Sequence, residues 1–77
     1  MLKDAIEHHR NGRFGEAERG YRAQLEMRPD DADALHLLGM LRYQLGDSRE
    51  GMALLSRAHS SAPEDANIEL TMASVRF

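Results

Sequence analysis

The chain repeats itself at a spacing of 34 residues, and that spacing constrains it more than any other feature. Gly12 and Gly46 stand at this offset, as do Glu16 and Glu50, Pro29 and Pro63, Asp31 and Asp65, Ala32 and Ala66, and Arg42 and Arg76. Softer matches share it: Ala5/Gly39, Ala17/Gly51, Tyr21/Leu55, Leu38/Met72, Leu41/Val75 and Tyr43/Phe77. A period of this length holds two short helices and two turns, and a regular period of 20–50 residues marks a stacked repeat architecture.

Read along the chain, the periodicity predicts five helices. Leu2, Ala5, Ile6 and His9 fall at helical spacing over Leu2–Asn11, and Gly12 suits a left-handed cap. Phe14, Ala17, Tyr21 and Leu25 form the stripe of a second helix over Phe14–Met27, which Gly15 and Gly20 weaken. Those glycines either admit a close neighbour or are simply tolerated. Pro29 disfavours helix in the residue before it, and Asp30 or Asp31 can cap the next helix. This third helix runs to about Leu45. Leu35, Leu37, Leu38, Leu41 and Leu45 give it a wide apolar surface, and Gly39 allows close packing at its middle. Asp47-Ser48-Arg49-Glu50 reads as a capping-box start for a fourth helix to about Ser61, with Met52, Leu55, Ala58 and His59 on one side. Pro63-Glu64-Asp65 repeats the stop and start. A fifth helix from about Ala66 carries Ile68, Met72 and Val75 on one face and Leu70, Ala73 and Phe77 on another.

These residues resemble the tetratricopeptide repeat, a 34-residue helix-turn-helix unit. Small residues midway along the first helix of each unit (Ala5, Gly39, Ala73), the turn glycines Gly12 and Gly46, small residues early in the second helix (Ala17, Gly51), large ones four later (Tyr21, Leu55) and the closing Pro29 and Pro63 carry the resemblance. Gln24 departs from it where Ala58 fits, and Asp4 and His8 depart where the family has leucine and an aromatic. The resemblance implies an all-α solenoid of five helices: one domain over 1–77, with a repeat at about 1–31, a second at about 32–65 and the first helix of a third at 66–77. The fifth helix ends without cap, glycine or polar closure. Its apolar side chains, each worth roughly 1.5–3 kcal/mol when buried, are expected to be covered by a continuation of a longer protein or by a second copy paired through this helix.

The same resemblance points to function. The first helix of each unit lines a concave face, here Leu2, Ile6, His9 and Arg10, then Asp33, His36, Met40, Tyr43 and Gln44, then Asn67, Leu70, Ser74 and Phe77. Leu2, Ile6, His9, His36, Met40, Tyr43, Gln44, Leu70 and Phe77 are the expected groove for a protein or peptide partner, with Met40 and Tyr43 foremost. Tetratricopeptide domains that clamp the terminal carboxylate of chaperones use Lys, Arg and Asn on these helices. Leu2 and Ile6 are apolar, so that clamp is not expected. The competing reading is an accessory segment of an enzyme, since similar repeats precede glycosyltransferase, sulfotransferase and hydroxylase domains in bacterial proteins.

Composition narrows the rest. A net charge of −3 with interspersed signs disfavours a nucleic-acid face. Nine of the ten basic residues are Arg, which reads as compositional habit, and the Arg/Glu alternation over Arg10–Arg28 reads as a solvated face. The absence of cysteine excludes disulfides and thiolate metal sites and fits a reducing compartment such as the cytoplasm. The charged N-terminus lacks the apolar core of a signal peptide, and no apolar run reaches the length of a membrane span. His8 and His9 are adjacent and point about 100° apart on a helix, while His36 and His59 lie on other helices, so no metal site is expected. Glu16 and Glu50 are explained by helix starts, and no serine has a His/Asp arrangement. Catalysis and cofactors are therefore not expected.

Overall fold

A computed structural model describes residues 2–75, Val75 by its backbone alone. Phe77 and its expected groove role lie outside the described residues. Five helices succeed one another: α1 (Leu2–Arg10), α2 (Phe14–Met27), α3 (Ala32–Gln44), α4 (Ser48–Ser61) and α5 (Ala66–Val75). The first and third end one residue earlier than their apolar patterns suggest, within the fraying expected of helix ends.

The 34-residue period reappears in the hydrogen bonds of the turns. After α1, Arg13 N–H donates to His8 O and Gly12 N–H to His9 O. After α3, Asp47 N–H donates to Arg42 O and Gly46 N–H to Tyr43 O. This is the six-to-one, five-to-two closure that needs a left-handed residue, and Gly12 (φ 81°) and Gly46 (φ 96°) supply it. The proline turns match as well, with Asp31 N–H donating to Arg28 O and Asp65 N–H to Ala62 O.

Of the two cap candidates before α3, Asp31 is the one that caps. Its Oδ1 accepts from the amides of Asp33 (3.1 Å) and Ala34 (3.2 Å), and its Oδ2 accepts from Gln24 Nε2 (2.8 Å). Gln24, the departure from the repeat pattern, is thus a partner for the cap. Burial pushes the Asp31 carboxyl up, but these hydrogen bonds together outweigh it and hold it below its ordinary value. Asp47 caps α4 through the Glu50 amide at 3.1 Å. The reciprocal half of the capping box is missing, because the Glu50 carboxylate turns to Arg22 and Arg42 instead.

The middle helix organises the stack. Among the described residues α3 is the one helix that packs on all four others, and its pairing with α4 is the most extensive. Ala34, Leu35, Leu38, Gly39 and Leu41 are buried around it. Leu45 lies beyond its end and is 46% exposed, so it leaves the apolar surface assigned to it. On α4 the buried side is Gly51, Leu54, Leu55 and Ala58, with Met52 and His59 only half-buried. Leu54 belongs to the core, one position round from the stripe the sequence suggested.

Glycine sets the closest helix contacts. A Cβ at Gly51 would lie 2.9 Å from Gly39 O and 3.0 Å from Tyr43 N, and one at Gly39 would lie 2.9 Å from Leu55 Cγ. In the first hairpin a Cβ at Gly20 would lie 2.6 Å from Ala5 Cβ. Gly20 therefore admits a close neighbour, whereas Gly15 faces open space and is tolerated.

An ion-pair network ties the hairpins together. Arg42 Nη1 donates to Glu18 Oε1 (3.0 Å) and Nη2 to Asp47 Oδ2 (3.2 Å). Its Nε stands 3.0 Å from Glu50 Oε1, close enough to pair but outside hydrogen-bonding angles. Arg22 Nε donates to Glu18 Oε2 (2.8 Å) and Nη2 to Glu50 Oε2 (3.2 Å). Glu18 and Arg22 are thus exceptions within the Arg/Glu run expected to be merely solvated.

Candidate functional site

Curvature is set by which helices touch. The backbones of α1 and α3, and of α3 and α5, come into contact, while those of α2 and α4 stay apart and are bridged by Arg22 and Glu50. The stack therefore closes on the side of α1, α3 and α5.

Two side-chain bridges span that side, each 35 residues long. His9 on α1 has Nδ1 2.9 Å from the Tyr21 hydroxyl and Nε2 2.6 Å from Gln44 Oε1 on α3. His36 on α3 has Nε2 2.8 Å from Thr71 Oγ1 on α5, and Thr71 Oγ1 donates to Asn67 O at 3.0 Å. The His9 ring also meets Phe14 and Tyr21 edge-on, with centroids 5.7 and 5.9 Å apart. Tyr21 is fully buried, and burial raises its phenol above the ordinary value. Burial lowers the His36 imidazole below its own, more than Asp65 and Asp33 raise it.

Between α3 and α5 lies a depression of about 270 Å³, lined by Met40, Tyr43, Gln44, Leu70, Thr71 and Ser74. Among the described residues no charged side chain lines it. Leu70 is 65% exposed, so an apolar side chain stands in water at its edge. Four residues of the expected groove meet here: Met40, Tyr43, Gln44 and Leu70. His9 joins through Gln44, and His36 through Thr71. Leu2 and Ile6 do not join. Both are half-buried and pack against the core at the other end of the stack.

Thr71 and Tyr21 were missed as polar elements of this face. Tyr21 reads as apolar stripe, and its hydroxyl gains meaning only beside His9. Thr71 had a detectable signal: it lies beyond His36 by the same 35-residue distance that separates His9 from Gln44.

A larger depression of about 580 Å³ lies elsewhere, lined by Asp30, Leu35, Ser56, Arg57, Ser60 and Ser61. It is mostly polar, and Arg57 Nη2 there contacts the Pro29 carbonyl at 3.4 Å. The smaller depression offers the better mixture of apolar surface and oriented polar groups.

The whole arrangement is two like hairpins with matching caps and one further helix set against them. A family model described as tetratricopeptide repeat matches residues 8–75. The chain belongs to the tetratricopeptide-repeat family. No curated protein matches it. Tetratricopeptide repeats are non-catalytic scaffolds that generally act in protein–protein interaction. Among the described residues of this tetratricopeptide domain, no three His, Asp or Glu converge as metal ligands. His8 with Glu16 (3.5 Å) and His59 with Glu69 (3.8 Å) are isolated pairs. No helix among those residues is long and apolar enough to cross a membrane.

Proposed function

We propose that this domain binds a peptide or helix of a partner protein on the face made by α1, α3 and α5, centred on Met40, Tyr43, Gln44 and Leu70. The depression between α3 and α5, uncharged among the described residues, carries this reading. At about 270 Å³ it falls just below the roughly 300–1,000 Å³ of small-molecule sites. It suits a few side chains of a larger partner. His9 and His36 border the groove through their bridges, and Leu2 and Ile6 support its N-terminal end. In this reading the groove spans repeats at about 1–31 and 32–65 and the opening helix of a third.

The test uses a peptide selected on the domain from a randomised phage-displayed library. Met40→Ala and Leu70→Ser are expected to weaken its binding at least about tenfold, the loss of roughly 1.4 kcal/mol from a contact at the centre of an interface. Arg57→Ala, in the other depression, is expected to leave it unchanged. Loss with Arg57→Ala and none with Leu70→Ser would move the site off this face.

Self-association through α5 is the second reading. Besides exposed Leu70, a depression of about 280 Å³ lined by His59, Glu69, Met72 and Ala73 lies at the outer edge of α4 and α5. One repeat earlier, the positions of Met72 and Ala73 are Leu38 and Gly39, both buried, and Gly39 packs on α4. Light scattering at low micromolar concentration tests this reading, and a monomer there excludes it.

A further inference from the structure

The donor and acceptor pattern of the groove is set from the core, through one buried hydroxyl. Tyr21 is fully buried, and His9 Nδ1 is the hydrogen-bond partner of its hydroxyl among the described residues. A buried hydroxyl proton without an acceptor is costly. If Nδ1 carried a proton, the Tyr21 proton would have no acceptor. The Tyr21 hydroxyl therefore donates to Nδ1, which places the imidazole proton on Nε2. That proton lies on the nitrogen 2.6 Å from the Gln44 side chain and needs an oxygen there, which is where Oε1 stands. The Gln44 amide is thereby held with its –NH₂ directed away from His9, and Gln44 lines the depression.

The second bridge fixes the opposite character nearby. Thr71 has one hydroxyl proton and two acceptor sites. Its proton goes to Asn67 O, so His36 must donate to it from Nε2. One acceptor site on Thr71 Oγ1 is left, in the same depression as Gln44.

We propose that the Tyr21–His9–Gln44 relay and the His36–Thr71 bridge preset the groove for an uncharged peptide segment, Gln44 Nε2 donating to a backbone carbonyl and Thr71 Oγ1 accepting from a backbone N–H. Met40, Tyr43 and Leu70 then hold the accompanying apolar side chain. Among the described residues the lining carries no charge to pair with an acidic or basic segment at this point. Tyr21 and His9 act as positioning residues and touch no ligand. This inference rests on the groove being the binding face.

Nitrogen-15 NMR of the 77-residue chain tests the relay without a ligand. His9 and His36 are both expected as Nε2–H tautomers. Tyr21→Phe removes the donor to Nδ1 and is expected to mix the tautomers of His9 while leaving His36 unchanged. An Nδ1–H tautomer at His9 in the unsubstituted protein overturns the relay. The ligand arm uses N-acetyl-leucine N′-methylamide at millimolar concentration. It is expected to move the Gln44 –NH₂ signals and the Met40 methyl. Gln44→Glu, which can only accept, is expected to weaken it about 2- to 10-fold, the worth of one uncharged hydrogen bond. Equal binding to Gln44→Glu, with the Met40 methyl still shifting, overturns the donor assignment and leaves the groove standing. Shifts confined to other faces overturn both.

Discussion

Two glycines of one helix should respond oppositely to the same substitution. Gly15 and Gly20 both lie in α2, and each is replaced by alanine. Alanine is favoured over glycine within a helix by about 1 kcal/mol. At Gly15 a new Cβ meets nothing within 4 Å. Gly15→Ala is therefore expected to stabilise by up to about 1 kcal/mol, a rise of roughly 4–8 °C in a domain of this size. At Gly20 the Cβ would stand 2.6 Å from the Ala5 Cβ, whose stiff attachment to the α1 backbone leaves it nowhere to turn. The two helices must separate, and overpacking of that kind costs about 1–3 kcal/mol. Gly20→Ala is then neutral to destabilising by about 2 kcal/mol after its helical gain is subtracted. Combining it with Ala5→Gly moves the methyl from one helix to the other and should return stability close to the starting value, a positive coupling in a double-mutant cycle. Urea unfolding monitored by circular dichroism measures the parent, these three variants and Ala5→Gly alone, the remaining corner of the cycle. A Gly20→Ala protein as stable as Gly15→Ala, or no rescue by Ala5→Gly, would refute the close α1–α2 approach.

Burial lowers the His36 imidazole, so the unfolded chain takes up that proton first as pH falls below about 6.5. Its contribution is full above that value and is lost as pH falls toward the folded-state value. Urea midpoints should therefore drop between about pH 7.5 and 5.5, and less so in His36→Gln. Asp31→Ala removes the α3 cap and the Gln24 partner together, and should cost about 0.5–2 kcal/mol in the same assay. Arg42→Met leaves Asp47 without its cation and Glu18 and Glu50 with Arg22 alone, so the melting temperature should fall and then recover in part with added salt.

Much of the fold was legible because local rules and period agreed. Gly12 announces a left-handed cap and Gly46 a helix end, Asp30 or Asp31 and Asp47 announce helix starts, and the leucines of α3 announce a helix buried on most sides. The errors came where three-dimensional neighbours decide. Leu45 continues the apolar pattern, yet the turn to Gly46 carries it into solvent. Leu54 is core because α4 is rotated to bring Gly51 against Gly39. Glu18 looks like an ordinary surface acid, and Glu50 like half of a capping box, until Arg42 crosses between them. Of the candidate site, Met40, Tyr43, Gln44 and Leu70 were placed on one face by the family resemblance. The tautomer of His9 could not be read, since it depends on a hydroxyl from another helix.

Docking of a partner in the α3–α5 depression is observed most directly by methyl and amide NMR of the domain titrated with the library-selected peptide. Shifts are expected to concentrate at Met40, Tyr43, Gln44, Leu70 and Thr71, with Ser56, Arg57 and Ser60 unmoved. Shifts centred on Ser56, Arg57 and Ser60, with Met40 and Leu70 still, would place the partner elsewhere and refute docking between α3 and α5.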